Sequence, residues 1–299
     1  MQLLHRFLSR FFLSGCSDYN PLNVRRACRS KAQARLAFKE NAIPYAKGRT
    51  FINPYSAFKF SQEQGFPLVI KPNVGGFSRG AYFPIQNNMQ LLKASIGVKK
   101  WWPNSIVEQY LLGKNYRVVV TKFGIMSVLR RYPPFVVGDG IMEIGNLIDA
   151  ENKLRKQMNL APITQSIPKN KAIRKHLKQQ KMSFSTIPKA KQRIYLHHKI
   201  ALKLGSSIEV VDKQKISENN KQDLVRILNS FDANILGVDV ICKKGIEFDF
   251  NTQPCIFLEL NSRPFLKMHD NPRYGKKPKN LDDFYNKLNQ LEIIDNEKY

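Results

Sequence analysis

Apolar and polar positions run through this chain in short blocks whose period changes from helical to alternating and back. SKAQARLAFKEN (residues 30–41) has helical spacing, with Ser30 as N-cap and Ala32, Leu36 and Phe38 among its apolar positions. AIPYAKGRTF predicts a turn and a short strand, and SAFKFSQEQG a helix closed by Gly65 at C′. A strand over FPLVIKP, a glycine-rich loop, a return strand around AYFPI and a helix from Asn88 towards Val98 come next. IVEQYL and YRVVVTKFGIMSVLRRYPP predict an antiparallel meander that turns at Lys122-Phe123-Gly124. VVGDGIMEIGNLIDAENKLRKQ is a turn and a helix. KQDLVRILNSF is amphipathic, with Leu224, Ile227, Leu228 and Phe231 on one face. ILGVDVICKK and CIFLELN are two last strands, and a loop-rich tail leads to a final helix. Strands that return as hairpins among helices predict an α+β fold rather than a doubly wound sheet, and no repeat of fixed period is present.

FPLVIKPNVGGFSRGAYF (residues 66–83) poses the first chemical question. Lys71 ends an apolar strand, where an ammonium is costly unless it meets an anion. Gly75, Gly76 and Gly80 then leave backbone N–H groups able to close over phosphates without side-chain obstruction. Neither G-x-x-x-x-G-K-[ST] nor G-x-G-x-x-G is present, so the loop belongs to neither familiar phosphate motif. Arg79 in the same loop is a phosphate partner or a solvated surface cation.

A second group lies far along the chain. In FLELN, Glu259 and Asn261 share one face of a strand while Leu258 and Leu260 take the other. Alone, that is a half-exposed strand facing water. Asp239, in the apolar strand GVDVI that is expected beside it, changes the reading. Oxygens of Asp239, Glu259 and Asn261 converging at neighbouring strand ends suit a hard cation, Mg²⁺, shared with substrate phosphates.

Bulk composition adds charge to this picture. The chain has 299 residues, 42% of them apolar, enough for one large or two modest cores. Lys and Arg number 49 against 23 Asp and Glu, a net charge of +26, which favours anionic partners. No acid occurs between Glu151 and Glu209, a stretch read either as a solvated surface or as a docking site for an acidic polymer. Cys16, Cys28, Cys242 and Cys255 form no C-x-x-C pair and no zinc spacing, which points to a reducing, cytoplasmic setting. The opening MQLLHRFLSRFFLSGC is basic and amphipathic, interrupted by Arg6 and Arg10. It is expected to form a short helix packed on the domain, a transit-like segment being the alternative. No stretch approaches membrane-spanning length.

In their order, VIKP, the glycine loop, VEQYLLGKNYRVVV, RRYPPFVVGDG, GVDVI and FLELN resemble the ATP-grasp ligases, above all the ATP-grasp module of cyanophycin synthetase and related glutamate ligases. The resemblance covers roughly residues 30–275 and rests on the motifs jointly. It implies an ATP-grasp fold, two α+β subdomains gripping ATP between antiparallel sheets. Residues 1–29 would be a basic lead-in, 30–105 the small subdomain, 106–280 the large one and 281–299 a helical tail.

By the same resemblance, Lys31 and Lys71 reach the nucleotide phosphates, and Gly75, Gly76, Ser78 and Gly80 form the flap above them. Glu108 marks the hinge that reads adenine, with Gln109 and Leu111 beside it. Leu258 lies against the ring, and Asn115 stands where relatives have an acid for the ribose. Asp239, Glu259 and Asn261 are the Mg²⁺ ligands, and Arg131 sits by the transferred phosphoryl group. The implied reaction is ATP-dependent amide formation through an acyl phosphate, on small-molecule or peptide substrates of acidic character.

The departures from the family pattern fall on the acceptor side. Phe265 replaces a glycine, Ala201 an asparagine, and Ser206 one of a glycine pair, with Ser207 after it. A nucleotide-binding protein without ligase turnover is therefore the alternative reading. Nucleic-acid binding ranks lower, because the basic stretch lacks interleaved aromatics. Adjacent His197 and His198, if in a strand, face opposite ways and cannot share a metal, and His269 matches a histidine at the family's active-site rim.

Overall fold

Two stretches of helical spacing open the described chain, α1 (Leu22–Ala27) and α2 (Lys31–Glu40). The structure, a computed structural model, describes residues 19–28, 31–73 and 80–291. The amphipathic opening, Ser30, the side chain of Ala32, Cys16 and the loop residues Gly75, Gly76, Ser78 and Arg79 lie outside that set. Along α2 the buried positions are Lys31, Ala34 and Phe38, and Leu36 is 55% exposed, contrary to the expectation that it joins the apolar face. Two residues before Phe38 lies about 200° around a helix, so one stripe cannot hold both.

Then come β1 (Gly48–Phe51), α3 (Pro54–Gln64), β2 (Leu68–Pro72), β3 (Tyr82–Ile85), α4 (Asn88–Gly97), β4 (Ser105–Gln109), β5 (Lys114–Thr121), β6 (Gly124–Tyr132) and β7 (Phe135–Val137). Asn53 caps α3 by accepting from the Tyr55 N–H at 2.9 Å, and Gly65 ends it at φ 72°, a left-handed value at which glycine is the cheapest residue. After β7 lie α5 (Ile144–Gln157), α6 (Lys171–Gln179), β8 (Arg193–Tyr195), β9 (Ser207–Val211), α7 (Glu218–Ser230), β10 (Ile235–Cys242), β11 (Cys255–Asn261), α8 (Lys267–Asp270) and α9 (Leu281–Asn289). The α+β expectation holds, and the pairs β1–β4, β2–β4, β2–β3, β5–β10, β10–β11 and β7–β8 are antiparallel.

The chain divides into two units, one of residues 1–128, 212–265 and 280–299, the other of 129–211 and 266–279. In the first, one sheet has the order β1-β4-β2-β3 and a second runs β11-β10-β5-β6. Helices α3 and α4 cover the first sheet through Phe60, Leu91 and Ala94, packed with Leu68, Ile70 and Val107. Each large side chain so buried contributes about 1.5–3 kcal/mol. Leu224, Ile227 and Leu228 of α7 are buried as their spacing predicts, while Phe231 is half-buried. In the second unit, β7 pairs with β8, and Ile144, Ile148, Ile173, Leu177 and Ile194 form a core of their own. Among the described residues no helix is long and apolar enough to cross a membrane.

Candidate functional site

The register of the first unit's sheets brings together charged side chains that are far apart in sequence. In the first sheet Val69 of β2 stands opposite Glu108 of β4, so Lys71, two residues on, is Glu108's diagonal neighbour on the same face. The pair closes at 2.5 Å between Lys71 Nζ and Glu108 Oε2, with the two side chains 13% and 2% exposed. Here the costly strand-end ammonium has its anion. Arg35 of α2 adds a second cation near the Glu108 side chain: a Cβ added to Gly48 would meet both, the Arg35 guanidinium at 2.5 Å and Glu108 Cγ at 2.7 Å. Only a glycine leaves room for that approach.

Lys31, at the start of α2, meets Glu259 Oε2 at 4.0 Å. Burial holds its pKa below the ordinary lysine value. Glu259 pulls it back up, Lys71 pushes it down and Glu108 raises it, so these four charges share one electrostatic neighbourhood.

In the second sheet, Asp239 faces Glu259 on one side and Arg117 on the other. The Arg117 fork holds both carboxylate oxygens, Nε donating to Oδ1 and Nη2 to Oδ2, the latter at 2.9 Å. Both side chains are nearly buried. The register steps from Asp239↔Glu259 to Val240↔Phe257, which leaves Leu258 as the extra residue of a β-bulge. Bulges re-aim side chains beside functional sites. This one places Leu258 and Glu259 both at the half-buried surface, where strict alternation had set them on opposite faces. Asn261 stays near the strand end and donates from Nδ2 to the Gly237 carbonyl at 3.4 Å.

Two carboxylates and an amide oxygen make a hard donor set of the size Mg²⁺ uses beside substrate phosphates. Among the described residues no group of three or more His, Cys, Asp or Glu side chains is gathered for a metal. A carboxylate has about four lone-pair positions, so Asp239 can serve a cation while Arg117 grips it. The donors fit the ion.

The remaining expected residues are scattered over both units. The Gln109 N–H donates to the Lys47 carbonyl at 2.9 Å and its side chain to Gln64, so that amide nitrogen is already used. Leu111 lies just past β4 in a half-buried loop, and Asn115 lies on β5 opposite Ile241. Gly80 has φ 68°, and a Cβ there would strike the Trp101 ring at 2.6 Å. Arg131 belongs to the second unit, half-buried on β6. His269 is 1% exposed on α8.

In the second unit the altered GSS segment is internal. Ser206 and Ser207 are fully buried; Ser206 Oγ accepts from the Ala201 N–H at 2.7 Å. Arg155 of α5 donates to the Gly205 carbonyl at 2.9 Å and to Ser207 Oγ at 2.9 Å. These departures therefore build a packed support.

The histidine expectation is corrected. His197 and His198 come after β8 in a bend rather than a strand, and their rings stack at 4.6 Å, with His176 of α6 about equally far from both at 6.1 and 6.0 Å. Burial, then His176 and Lys199, push His197 down to about 4, and burial, His197, Lys199 and His176 do the same to His198. The folded rings thus refuse protons that an unfolded chain accepts near the ordinary value of 6.5. Unfolding stability is expected to fall as pH drops from 6.5 towards 4, and the H197Q/H198Q variant to flatten that slope in urea titrations. An unchanged slope would remove the histidines from the account.

Arg117, Arg35 and the His176–His197–His198 group were not evident in the sequence. Arg117 had a signal: an arginine inside YRVVV must find an anion once that strand is buried.

No protein-family model matches the chain. It is 29% identical over 261 residues to the glutathione biosynthesis bifunctional protein GshAB of Desulfotalea psychrophila, covering 85% of this chain and 33% of that one. The chain thus spans about a third of the length of the curated relatives it matches. Among solved structures, a bifunctional glutathione synthetase from Pasteurella multocida superposes with TM-score 0.64 at 21% identity, over 91% of this chain and 38% of that one. The VanG D-Ala:D-Ser ligase from Enterococcus faecalis superposes with TM-score 0.51 at 16% identity, over 88% and 61%. At these identities the structural likeness is one of fold.

Proposed function

The chain has the ATP-grasp fold, and from that premise we propose that it is an ATP- and Mg²⁺-dependent ligase joining a carboxylate to an amine. The observation that carries this reading is the neighbourhood of Lys31, Lys71, Glu108 and Glu259 beside the Asp239–Glu259 strand pair, all in one unit. Two lysines and a hard-oxygen donor set in one place suit a triphosphate with its metal. The names of the curated relatives and of the superposed ligases support the same class. The subdomain boundaries near residues 105 and 280 belong to this proposal.

In the proposed reaction a substrate carboxylate oxygen attacks the γ-phosphorus of ATP, the bond to the bridging oxygen breaks, and ADP leaves with that electron pair. An amine then attacks the acyl carbon of the acyl phosphate, loses a proton and expels inorganic phosphate. No side-chain nucleophile is needed, so positioning and charge neutralisation supply the rate. Lys31 and Lys71 bind the phosphates, and the flap role that the resemblance implies for Gly75, Gly76, Ser78 and Gly80 belongs to the same proposal. Asp239, Glu259 and Asn261 would hold Mg²⁺, which would supply charge neutralisation at the phosphate oxygens. Gln109, Leu111, Asn115 and Leu258 seat the nucleoside, and Arg131 serves the transferred group. Glu108 neutralises Lys71 and fixes its direction.

The finer substrate reading is an amino acid or acidic peptide, either as in the cyanophycin synthetase resemblance or a γ-glutamyl peptide, the kind of product the relatives' names suggest. ADP release is the test, with Mg-ATP, single acidic amino acids, acidic dipeptides and γ-glutamyl dipeptides as carboxylates, and free amino acids as amines. Turnover with at least one pair is expected, and E259Q should cut it about a hundredfold or more. Binding of Mg-ATP with no turnover on any pair would favour the reading without ligase activity.

A further inference from the structure

A lysine-rich stretch of the second unit carries six exposed ammonium groups for which the described residues supply no ion pair. Helix α6 exposes Lys171, Lys175 and Lys178 along one side, and the segment after it adds Lys181, Lys189 and Lys191, all exposed. Ion pairing in this region stops at Lys169–Asp149, 2.6 Å, and among the described residues no carboxylate reaches these six lysines. A merely solvated face mixes both signs. This stretch is predominantly of one sign: exposed Asp139 of VVGDG and Glu143 lie beside it, but the sequence places no acid between Glu151 and Glu209 to dilute it further.

The lysines stand on a fixed frame. Asn170 caps α6 by accepting from the N–H groups of Ala172 and Ile173, and Ile173 and Leu177 lock its inner face into the core. The Thr186 and Phe184 carbonyls accept from the Ile144 and Gly145 N–H groups at the start of α5. Lys191 N–H donates to the Gly138 carbonyl at 2.8 Å, and Gly138 N–H to the Gln192 carbonyl at 2.8 Å, tying the lysine loop to VVGDG. Lys181 and Lys191 sit at φ 58° and 64°, where a glycine would be easier to hold. At both turns the chain keeps a charged side chain at a conformational cost.

We propose that this face, α6 with the segment carrying Lys181, Lys189 and Lys191, docks an acidic polypeptide. Two other polyanionic surfaces fit less well. An amphipathic helix meets a membrane through its apolar side, and here Ile173 and Leu177 are 2% and 0% exposed in the core. Single-stranded nucleic acid wants aromatic platforms and planar guanidinium groups. This stretch offers six exposed lysines against the exposed Arg174 and Arg193, and the Phe184 ring is half-buried beneath Arg174, 5.9 Å from the guanidinium, so it gives no open platform for a base. Ammonium groups on long, solvated stems suit flexible carboxylates.

The inference deepens the ligase reading by naming a polymeric acidic substrate, and rests on that reading only for the chemistry after docking. Binding itself needs no nucleotide, so the two fail separately. The experiment is fluorescence anisotropy of the full chain with labelled poly-L-glutamate at about 50 mM and about 200 mM salt, beside poly-L-glutamine, an RNA oligonucleotide and phosphatidylserine vesicles. Polyglutamate should bind and weaken with salt, and K171Q/K175Q/K178Q should lose about tenfold at the lower salt with an unchanged melting temperature. K191G, which keeps the left-handed turn while removing a charge, should lose a smaller part in the same direction. ADP release with single amino acids should not change in either variant. Tighter binding of RNA or vesicles than of polyglutamate, or parental polyglutamate affinity in the triple variant, would overturn the proposal.

Discussion

Replacing Lys71 with methionine is expected to destabilise the protein by about 3–5 kcal/mol and to cut ATP-dependent turnover by a hundredfold or more. The first effect comes from the partner left behind. Glu108 Oε2 sits 2.5 Å from Lys71 Nζ with a side chain only 2% exposed, so removing the ammonium strands a carboxylate away from water. Arg35 lies near enough to soften the loss, but it is itself largely desolvated. The second effect is separate, because a lysine that neutralises phosphate has no substitute in a methionine. The K71M/E108Q double variant divides the two. It should recover most of the stability, since a buried pair can be replaced by neutral groups at little cost, and none of the turnover. Urea midpoints and ADP release measure the two effects independently. A K71M variant as stable as the parent would show that Glu108 does not depend on this lysine. Full turnover in K71M would remove Lys71 from the phosphate site.

Arg117→Met is expected to give a second large loss, about 3–5 kcal/mol, and one that Mg²⁺ partly reverses. Asp239 is gripped through both oxygens by the Arg117 fork inside the β5–β10 pairing. Without the guanidinium Asp239 still stands opposite another carboxylate, Glu259, in the β10–β11 register, and two anions then face each other with one cation fewer. A divalent cation at those oxygens replaces the missing charge, so melting temperature should rise more steeply with Mg²⁺ concentration in R117M than in the parent. R117K should fall between them, since an ammonium restores charge but not the two-pronged grip. Isothermal titration with Mg²⁺ offers a readout that does not involve turnover. Equal Mg²⁺ shifts in R117M and the parent would detach Arg117 from the metal ligands.

Much of the architecture could be read from the chain alone, because its elements announce themselves locally. Gly65 closed one helix, apolar runs marked β2, β5, β10 and β11, and the spacing of Leu224, Ile227 and Leu228 marked the buried face of α7. The pairing of GVDVI with FLELN came from two apolar strands close in sequence, and with it the approach of Asp239 to Glu259. Such features depend on neighbours a few residues away.

Tertiary structure decided how the charges are partnered, and for this the sequence holds no local rule. Glu108 is expected at the hinge that reads adenine, and only the β2–β4 register shows that it is also the counter-ion of Lys71. Arg117 is one more arginine of a basic chain until β5 lies beside β10 and puts its guanidinium on Asp239. The bulge at Leu258 undid the strict alternation expected of FLELN, and a bend brought together two histidines that a strand would have parted. Each outcome turns on a register or a turn set by packing far along the chain. A one-residue shift in pairing moves a side chain to the other face, so the partners of buried charges are fixed only when the sheets close.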